Sequence, residues 1–286
     1  MISTKYTVID RLSAENSKRF GETFLVKKGT SEELFVLKTV EKSNEIGFAQ
    51  LKIEASFSFE IDGLPKVISV EETETQISIL KKYQEGISLN DYFLKIKLRK
   101  RLKNLSEIVS ALAPLFKELQ NQQIIHCDIK PENILVHESN NGLKCSIIDF
   151  GLAFRMNELP ERKTLFQLAY SAPEIVLNRL KCADFSTDVF SFCLIAYKVL
   201  NGRLPFSDSN PALLTQLQIT YPIEKPFRIK KKVWKVLEKG LAKHQFKKSP
   251  NKYRLEEIES FLKENNQKRY SSFKDFSKDF IELSNK

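Results

Sequence analysis

The chain has 286 residues, 42% of them hydrophobic and 29% charged, with a formal net charge of +10. That length and balance exclude a disordered segment and a minimal domain, and they suit one two-lobed globular unit. The positive charge favours acidic partners, whether nucleotide phosphates, acidic peptides, nucleic acid or an anionic membrane surface, and by itself selects none of them.

In chain order, the first ~85 residues read as strand-rich. The runs 6–12, 22–28 and 34–40 are β-branched and aromatic, separated by polar segments. Residues 44–61 then place Ile46, Ala49, Ile53 and Phe57 at helical spacing, which predicts a helix across the whole stretch. Strand character returns at 67–72 and 76–83. After Gly86 the pattern turns helical at 105–121, 184–201, 230–243 and 270–283, interrupted by short β runs at 133–137 and 145–149. The hinge between a β-rich and an α-rich part is expected near residues 81–86. Pro114 falls inside the 105–121 pattern, where it should kink the helix or mark the start of its regular part. No internal repeat or low-complexity linker is visible. The 21 phenylalanines predict an aromatic-rich core. Cys127, Cys145, Cys182 and Cys193 lack metal-ligand spacing and read as unpaired thiols. The first residues lack the apolar run of a signal peptide, and the longest apolar stretch, 189–197, is too short to span a bilayer. A soluble, cytoplasmic protein is the expectation.

The most informative segment is HCDIKPENILV, residues 126–136. Asp128 is followed five residues later by Asn133 and then by an apolar strand, which suits a loop that aims both side chains at one point. Sixteen residues beyond Asn133, the apolar run IID delivers Asp149 to a Phe-Gly turn. One carboxylate and one amide oxygen are suitable ligands for Mg²⁺, a hard cation that keeps waters and phosphates as its other ligands. Asp128 is then left to face a nucleophile, with the charge of Lys130 beside it.

These segments resemble the catalytic loop and the metal-binding Asp-Phe-Gly of eukaryotic-type protein kinases of the serine/threonine class, and the resemblance runs along nearly the whole chain. It implies an α+β bilobal fold, with a small β-rich N-lobe carrying one helix (about 1–84) and a larger α-helical C-lobe (about 85–286), together one kinase domain. It also implies roles. Asp128 orients the substrate hydroxyl and accepts its proton, and Lys130 balances charge on the moving phosphoryl. Asn133 and Asp149 hold Mg²⁺. Lys38, in LFVLK, grips the α- and β-phosphates of ATP and is kept in place by Glu54, with Glu60 as runner-up. Glu174, in YSAPE, closes the activation segment and pairs with Arg269, with Arg254 as the weaker candidate. Asp188 sits on the central buried helix. If Arg269 is the partner, residues 244–266 hold an insertion with a helix at EEIESFLKEN. Serine or threonine is the implied acceptor, because KPEN differs from the Ala-Ala-Arg of the tyrosine-specific class.

Several positions depart from the family pattern. The phosphate-covering loop retains Gly21 alone, and Asn16 and Lys18 fall where two other glycines belong; Lys18 would add charge toward the phosphates. Cys127 stands where many members have an arginine that meets an activation-loop phosphate, so control through Thr164 or Ser171 is not expected. Phe166, Gln167 and Leu168 replace the usual Gly-Thr-Pro, and Cys193 replaces a helix glycine, a change of packing. His126 reads as a structural residue of the loop and Cys127 as an inert thiol. The basic runs 95–103 and 228–235 read as solvated helix faces, the second with Val233 and Trp234 as core contacts, so nucleic acid is not an expected partner. The basic charge instead favours a protein substrate with acidic residues near the acceptor. Two other functions share these residues: a pseudokinase or scaffold, suggested by the depleted loop, and a small-molecule kinase of the antibiotic-phosphotransferase type, which lacks the YSAPE, Asp188 and Arg269 constellation. Oligomeric state is not legible.

Overall fold

The computed structural model describes residues 5–13, 21–29, 32–140, 142–158 and 168–284. By its internal contacts the chain divides into two compact units, Met1–Glu85 with Ser146–Leu152, and Gly86–Cys145 with Ala153–Lys286.

The first unit is built on a five-stranded antiparallel sheet of β1 (Tyr6–Arg11), β2 (Glu22–Lys28), β3 (Leu34–Glu41), β4 (Val67–Glu72) and β5 (Gln76–Lys82), in the order β1-β2-β3-β5-β4. Alternation along the strands gives the sheet two different faces. Phe24, Val26, Phe35, Leu37 and Leu80 form one apolar cluster on one side, with Tyr6 packed against it. On the other side Val40, Ile77 and Ile79 meet Leu51 of helix α1 (Glu45–Ala55). Register puts Lys38 opposite Ile79 and Val36 opposite Lys81, so Lys38 and Lys81 share this α1-facing side.

The expected helix over 44–61 ends early. It starts at the Asn44 cap, whose side chain accepts from Gly47 N at 3.0 Å, and stops at Ala55. There the Ser56 hydroxyl donates to Ile53 O at 2.7 Å. Phe57 and Phe59 follow in irregular chain, both buried, with Phe59 N donating to Pro65 O at 2.9 Å. Both rings pack on Phe150, at centroid distances of 5.8 and 5.2 Å. Burial at residue 57 therefore serves a tertiary contact and not a helix stripe.

The second unit is mainly helical. In chain order it contains β6 (Ile87–Ser88), α2 (Leu89–Lys95), α3 (Arg101–Asn121), β7 (Ile124–Ile125), β8 (Ile134–Ser139) and β9 (Gly142–Ile147), whose last two residues belong to the first unit. Then come β10 (Phe154–Arg155), α4 (Pro173–Val176), α5 (Phe185–Asn201), α6 (Pro211–Thr220), α7 (Lys231–Gly240), α8 (Leu255–Lys268) and α9 (Phe273–Ser284). α5 is buried along almost its whole length, from Ser186 to Tyr197. Its start is fixed by an Asp184–Thr187 capping box, and its end by Gly202 at φ +90°, a left-handed cap that glycine adopts without strain. Phenylalanines fill the space between α3, α5 and α9: Phe273 stacks on Phe116 at 4.0 Å and meets Phe192 edge-on at 5.1 Å. The Cys193 thiol lies where a Cβ at Gly240 of α7 would collide with it, so the cysteine fills space that this glycine leaves open.

α8 covers the helix expected within 244–266 and runs a few residues further. Its Ile258 and Leu262 pack with Val176, Cys182, Ile219 and Phe246 in one apolar cluster, and His244 stacks on Phe261 at 4.1 Å. Arg101, in the first basic run, is a structural residue: its guanidinium donates to Phe93 O and Val199 O at 3.0 Å and to Ile96 O at 3.2 Å. Val233 and Trp234 are buried, while Lys230, Lys231, Lys232 and Lys235 are exposed.

α3 begins at Arg101 and continues past Pro114 to Asn121, so Pro114 does not mark its start. Pro114 and Ser110 are both exposed, so the Ser110 carbonyl that loses its helical donor is open to water. An interior proline still costs up to ~3 kcal/mol relative to alanine, offset in part by its stiffening of the unfolded chain. Pro114→Ala is therefore expected to stabilise the protein by ~1–2 kcal/mol, read as a higher urea midpoint at unchanged slope.

Candidate active site

Two sets of candidate site side chains are built separately, one in each unit. In the first, β3 presents Lys38 toward α1, and α1 presents Glu54 back. Glu54 is 1% exposed, and its Oε2 accepts from Lys38 Nζ at 2.7 Å. Lys38 Nζ also lies 3.5 Å from Asp149 Oδ1. A second lysine meets the same carboxylate: Lys81 Nζ of β5 donates to Glu54 Oε1. Glu60, the runner-up, instead pairs with exposed Lys66 at 2.5 Å.

Burial acts against the charges of Lys38 and Glu54, and the opposite charges outweigh it. Desolvation would lower the Lys38 pKa, but Asp149 and Glu54 raise it well above the usual lysine range. Desolvation would raise that of Glu54, but Lys38 and Lys81 bring it below the usual carboxylate value. Asp149 is 41% exposed and has φ +63°, a left-handed conformation uncommon outside glycine but adopted by aspartate more readily than by most side chains. The next residue, Phe150, is fully buried against Phe57 and Phe59 and so anchors the turn that carries Asp149. Gly21 opens β2 at φ +80°, where a Cβ would strike Thr39 O and Val40 of β3, so the close approach of the two strands demands glycine. Lys18 and Asn16 lie outside the described residues.

The second set is the loop between β7 and β8. Lys130 Nζ bonds Asp128 Oδ2 at 2.7 Å. Asn133 Nδ2 donates to both Asp128 O and Asp128 Oδ2 at 2.9 Å, which commits its nitrogen to the loop and leaves the acceptor role to its oxygen. Three side chains are thus held in one constellation by a six-residue span. His126 is fully buried, and its Nδ1 accepts from Asp128 N at 3.3 Å, a structural contact.

Beneath this loop Asp188 of α5 takes His126 N on Oδ2 at 2.8 Å and Cys127 N on Oδ1 at 2.9 Å. Cys127 has φ +62°, so the carboxylate holds a backbone conformation that this residue does not adopt freely. Burial pushes the Asp188 carboxyl up to about 7, against the two N–H bonds, which favour the ionised form. All four cysteines are buried, Cys127 among them, and burial pushes the Cys145 thiol up to about 12.

The Glu174–Arg269 pair closes the second unit's core. Arg269 Nη1 and Nη2 reach Glu174 Oε1 and Oε2 at 2.7 and 3.2 Å, a bidentate fork in which both side chains are 1% exposed or less. Arg269 Nε donates to Ala242 O at 2.8 Å, and its guanidinium lies 4.6 Å from the Phe190 ring centroid. Arg254 is 82% exposed and pairs with Glu257, so it has no share in this contact. Ser171 is 5% exposed, Leu168 packs in the α8 cluster, and Thr164, Phe166 and Gln167 lie outside the described residues.

Sequence reasoning missed Lys81 and the two backbone donors of Asp188. Lys81 had a signal: it continues the face defined by Ile77 and Ile79, so a charge there must be buried and paired. The donors to Asp188 gave no signal, because they are backbone atoms.

Glu54→Gln leaves two buried lysines without their shared carboxylate and is expected to cost ~3–5 kcal/mol at neutral pH. The lowered Glu54 pKa makes its contribution present above 4.5 and lost as pH falls through the folded value. The gap between wild type and variant in urea unfolding should therefore close as pH drops below 4.5. A gap that stays constant with pH contradicts the pairing. Asp188→Asn turns an NH₂ toward one of the two backbone donors, and an expected ~1–3 kcal/mol loss would be read in the same assay.

The model of the family described as "Protein kinase domain" matches residues 18–281. Among curated proteins, the chain is 29% identical over 208 residues to maternal embryonic leucine zipper kinase of Danio rerio, covering 68% of this chain and 29% of that one. It is 29% identical over 211 residues to CBL-interacting protein kinase 21 of Oryza sativa subsp. japonica, covering 69% of this chain and 38% of that one. It is also 29% identical over 161 residues to serine/threonine-protein kinase dkf-2 of Caenorhabditis briggsae, covering 55% and 13%. The matched part is thus well under two thirds of each relative's length. With the family model spanning most of its length, this chain belongs to the protein kinase domain family.

Proposed function

We propose that the protein is an ATP-dependent serine/threonine protein kinase. The observation that carries this reading is the Lys38 ammonium, largely covered and bonded to both Glu54 and Asp149. A lysine held charged and fixed in direction, beside a half-exposed carboxylate, suits the recognition of a phosphate chain carrying a cation.

Magnesium and ATP supply the electrophile: the γ-phosphoryl, with its charge partly neutralised by the metal. Asp149 offers a carboxylate and Asn133 an amide oxygen, the donor chemistry a hard cation takes. Lys38 binds the α- and β-phosphates and is aimed by Glu54. Asp128 orients a serine or threonine hydroxyl and accepts its proton as the new P–O bond forms and ADP leaves. Lys130, 2.7 Å from Asp128, keeps that carboxylate directed and balances charge on the phosphoryl. Gly21 and Lys18 belong to the segment that covers the phosphates. Positioning and charge account for most of the catalysis, and the roles need few residues.

The net charge of +10 supports a protein substrate with acidic residues near its acceptor. Four buried cysteines, none in a disulfide among the described residues, suit a reducing compartment, and the cytoplasm is the proposed location. Among the described residues no helix is long and apolar enough to cross a membrane.

Asp149→Ala is expected to lower transfer from γ-labelled ATP to a serine/threonine peptide library by ~10²–10³-fold or more. Phosphoamino-acid analysis of the wild-type products should show phosphoserine and phosphothreonine. Equal transfer by wild type and variant, or label on tyrosine alone, would end this reading.

A further inference from the structure

The Glu54 carboxylate has two lysine partners, and only one of them is used by the proposed mechanism. Lys38 bonds Oε2 at 2.7 Å, and Lys81 bonds Oε1. The two lysines lie on adjacent antiparallel strands: Lys38 faces Ile79, and Lys81 is two residues further along the same side. The side chain of Lys81 is 11% exposed and that of Lys38 15%, against 1% for Glu54. Their tasks differ. Lys38 also reaches Asp149, whereas among the described residues Glu54 is the one carboxylate within 4.0 Å of Lys81.

A lysine that binds phosphates shares its charge with them. If Lys38 were the sole counter-ion, a buried Glu54 would lose part of its compensation whenever a nucleotide bound, and removal of charge compensation at a buried site is costly. A second ammonium on the other carboxylate oxygen removes that conflict. It also ties α1 to β5 by a bond that does not depend on the nucleotide.

We propose that Lys81 is a second positioning lysine: it holds Glu54, and with it α1, on β5 while Lys38 is given over to the phosphates. Lys81 has no role in bond making. In its nucleotide-dependent part the inference rests on the functional reading above; in its structural part it does not.

The experiment therefore has two arms. The first needs no activity. Melting temperatures are measured for Lys38→Met, Lys81→Met and the double variant, each with Glu54 and with Glu54→Gln. Either single change leaves the carboxylate one partner and should lower the melting temperature by only ~2–4 °C. The double change should lower it by roughly 10 °C, more than the two together, and Glu54→Gln should restore much of that loss, since no buried anion then remains. Additive single effects, or no rescue by Glu54→Gln, overturn the proposal.

The second arm reads nucleotide. Lys81→Met makes the phosphates and Glu54 compete for one ammonium, so the KM for ATP should rise about fivefold to tenfold with kcat within about twofold, and Lys81→Arg should restore it. An unchanged KM, or Lys81→Arg behaving like Lys81→Met, contradicts the proposal. If the wild type transfers no phosphate, Mg-ADP affinity by thermal shift takes the place of KM. A wild type that binds no Mg-ADP refutes the functional reading, and the melting arm then decides the pairing of Lys81 by itself.

Discussion

A carboxylate withdrawn from water keeps its charge only where ammonium, guanidinium or N–H groups replace the lost hydration. Glu54, at 1% exposure, is the point on which the first unit depends. α1 buries little else: Leu51, Gly47 and Glu54 are its buried residues, with Phe48 and Ala55 partly covered. Full burial of one leucine is worth roughly 1.5–3 kcal/mol, whereas stranding one member of a buried ion pair costs ~3–5 kcal/mol. The apolar contact brings α1 to the sheet, and the ionic contact decides its rotation and register. A helix shifted by one residue would turn Glu54 about 100° away from both lysines.

The second unit buries acidic groups too, and meets each with different chemistry. Glu174 receives a planar fork from Arg269, so both oxygens and two guanidinium nitrogens are satisfied in one geometry. The Thr187 hydroxyl adds a third bond, to Oε1 at 2.7 Å, and thereby joins the start of α5 to the pair. Asp188 is met instead by the N–H groups of His126 and Cys127, with no cation within ion-pair distance among the described residues. Two backbone donors do not repay full desolvation, and its pKa of about 7 records the shortfall. What the arrangement accomplishes is positional. A helix buried along almost its whole length fixes the peptide that precedes Asp128, at a φ that Cys127 would not otherwise hold.

Much of the fold was legible because it follows local rules. β2 and β4 begin and end where apolar alternation does, and α5 starts at an aspartate followed by a threonine three residues on, a cap in plain view. The helix over 44–61 was overread because apolar spacing cannot separate a helix stripe from an aromatic buried for a distant partner; Phe57 belongs to Phe150, almost a hundred residues away. Pro114 does not mark where the regular part of α3 begins, since the helix already runs from Arg101. Proline breaks a helix where the freed carbonyl is buried, and at this exposed position water replaces the missing donor. The closeness of Lys38 to Glu54, and of Glu174 to Arg269, was legible from resemblance, and the buried side chains explain why such residues occur in pairs. Lys81 was passed over because the resemblance offers no role for a lysine there, while the period of β5 alone would have marked it as buried.

The doubling of lysines around one glutamate also bears on why the cluster is ionic at all. An apolar trio of similar size would be at least as stable, because desolvating three charges consumes much of what their attraction returns. Apolar packing, however, has no direction. Leu51 against Ile77 and Ile79 tolerates small rotations of α1, whereas two N–H···O bonds on opposite oxygens of one carboxylate fix both its position and its plane. Lys38, bound on one side by Glu54 and on the other by Asp149, is thereby left with few rotamers. Catalysis by positioning needs that restriction more than it needs net stability, since charge aimed in advance requires no reorganisation when a phosphate arrives.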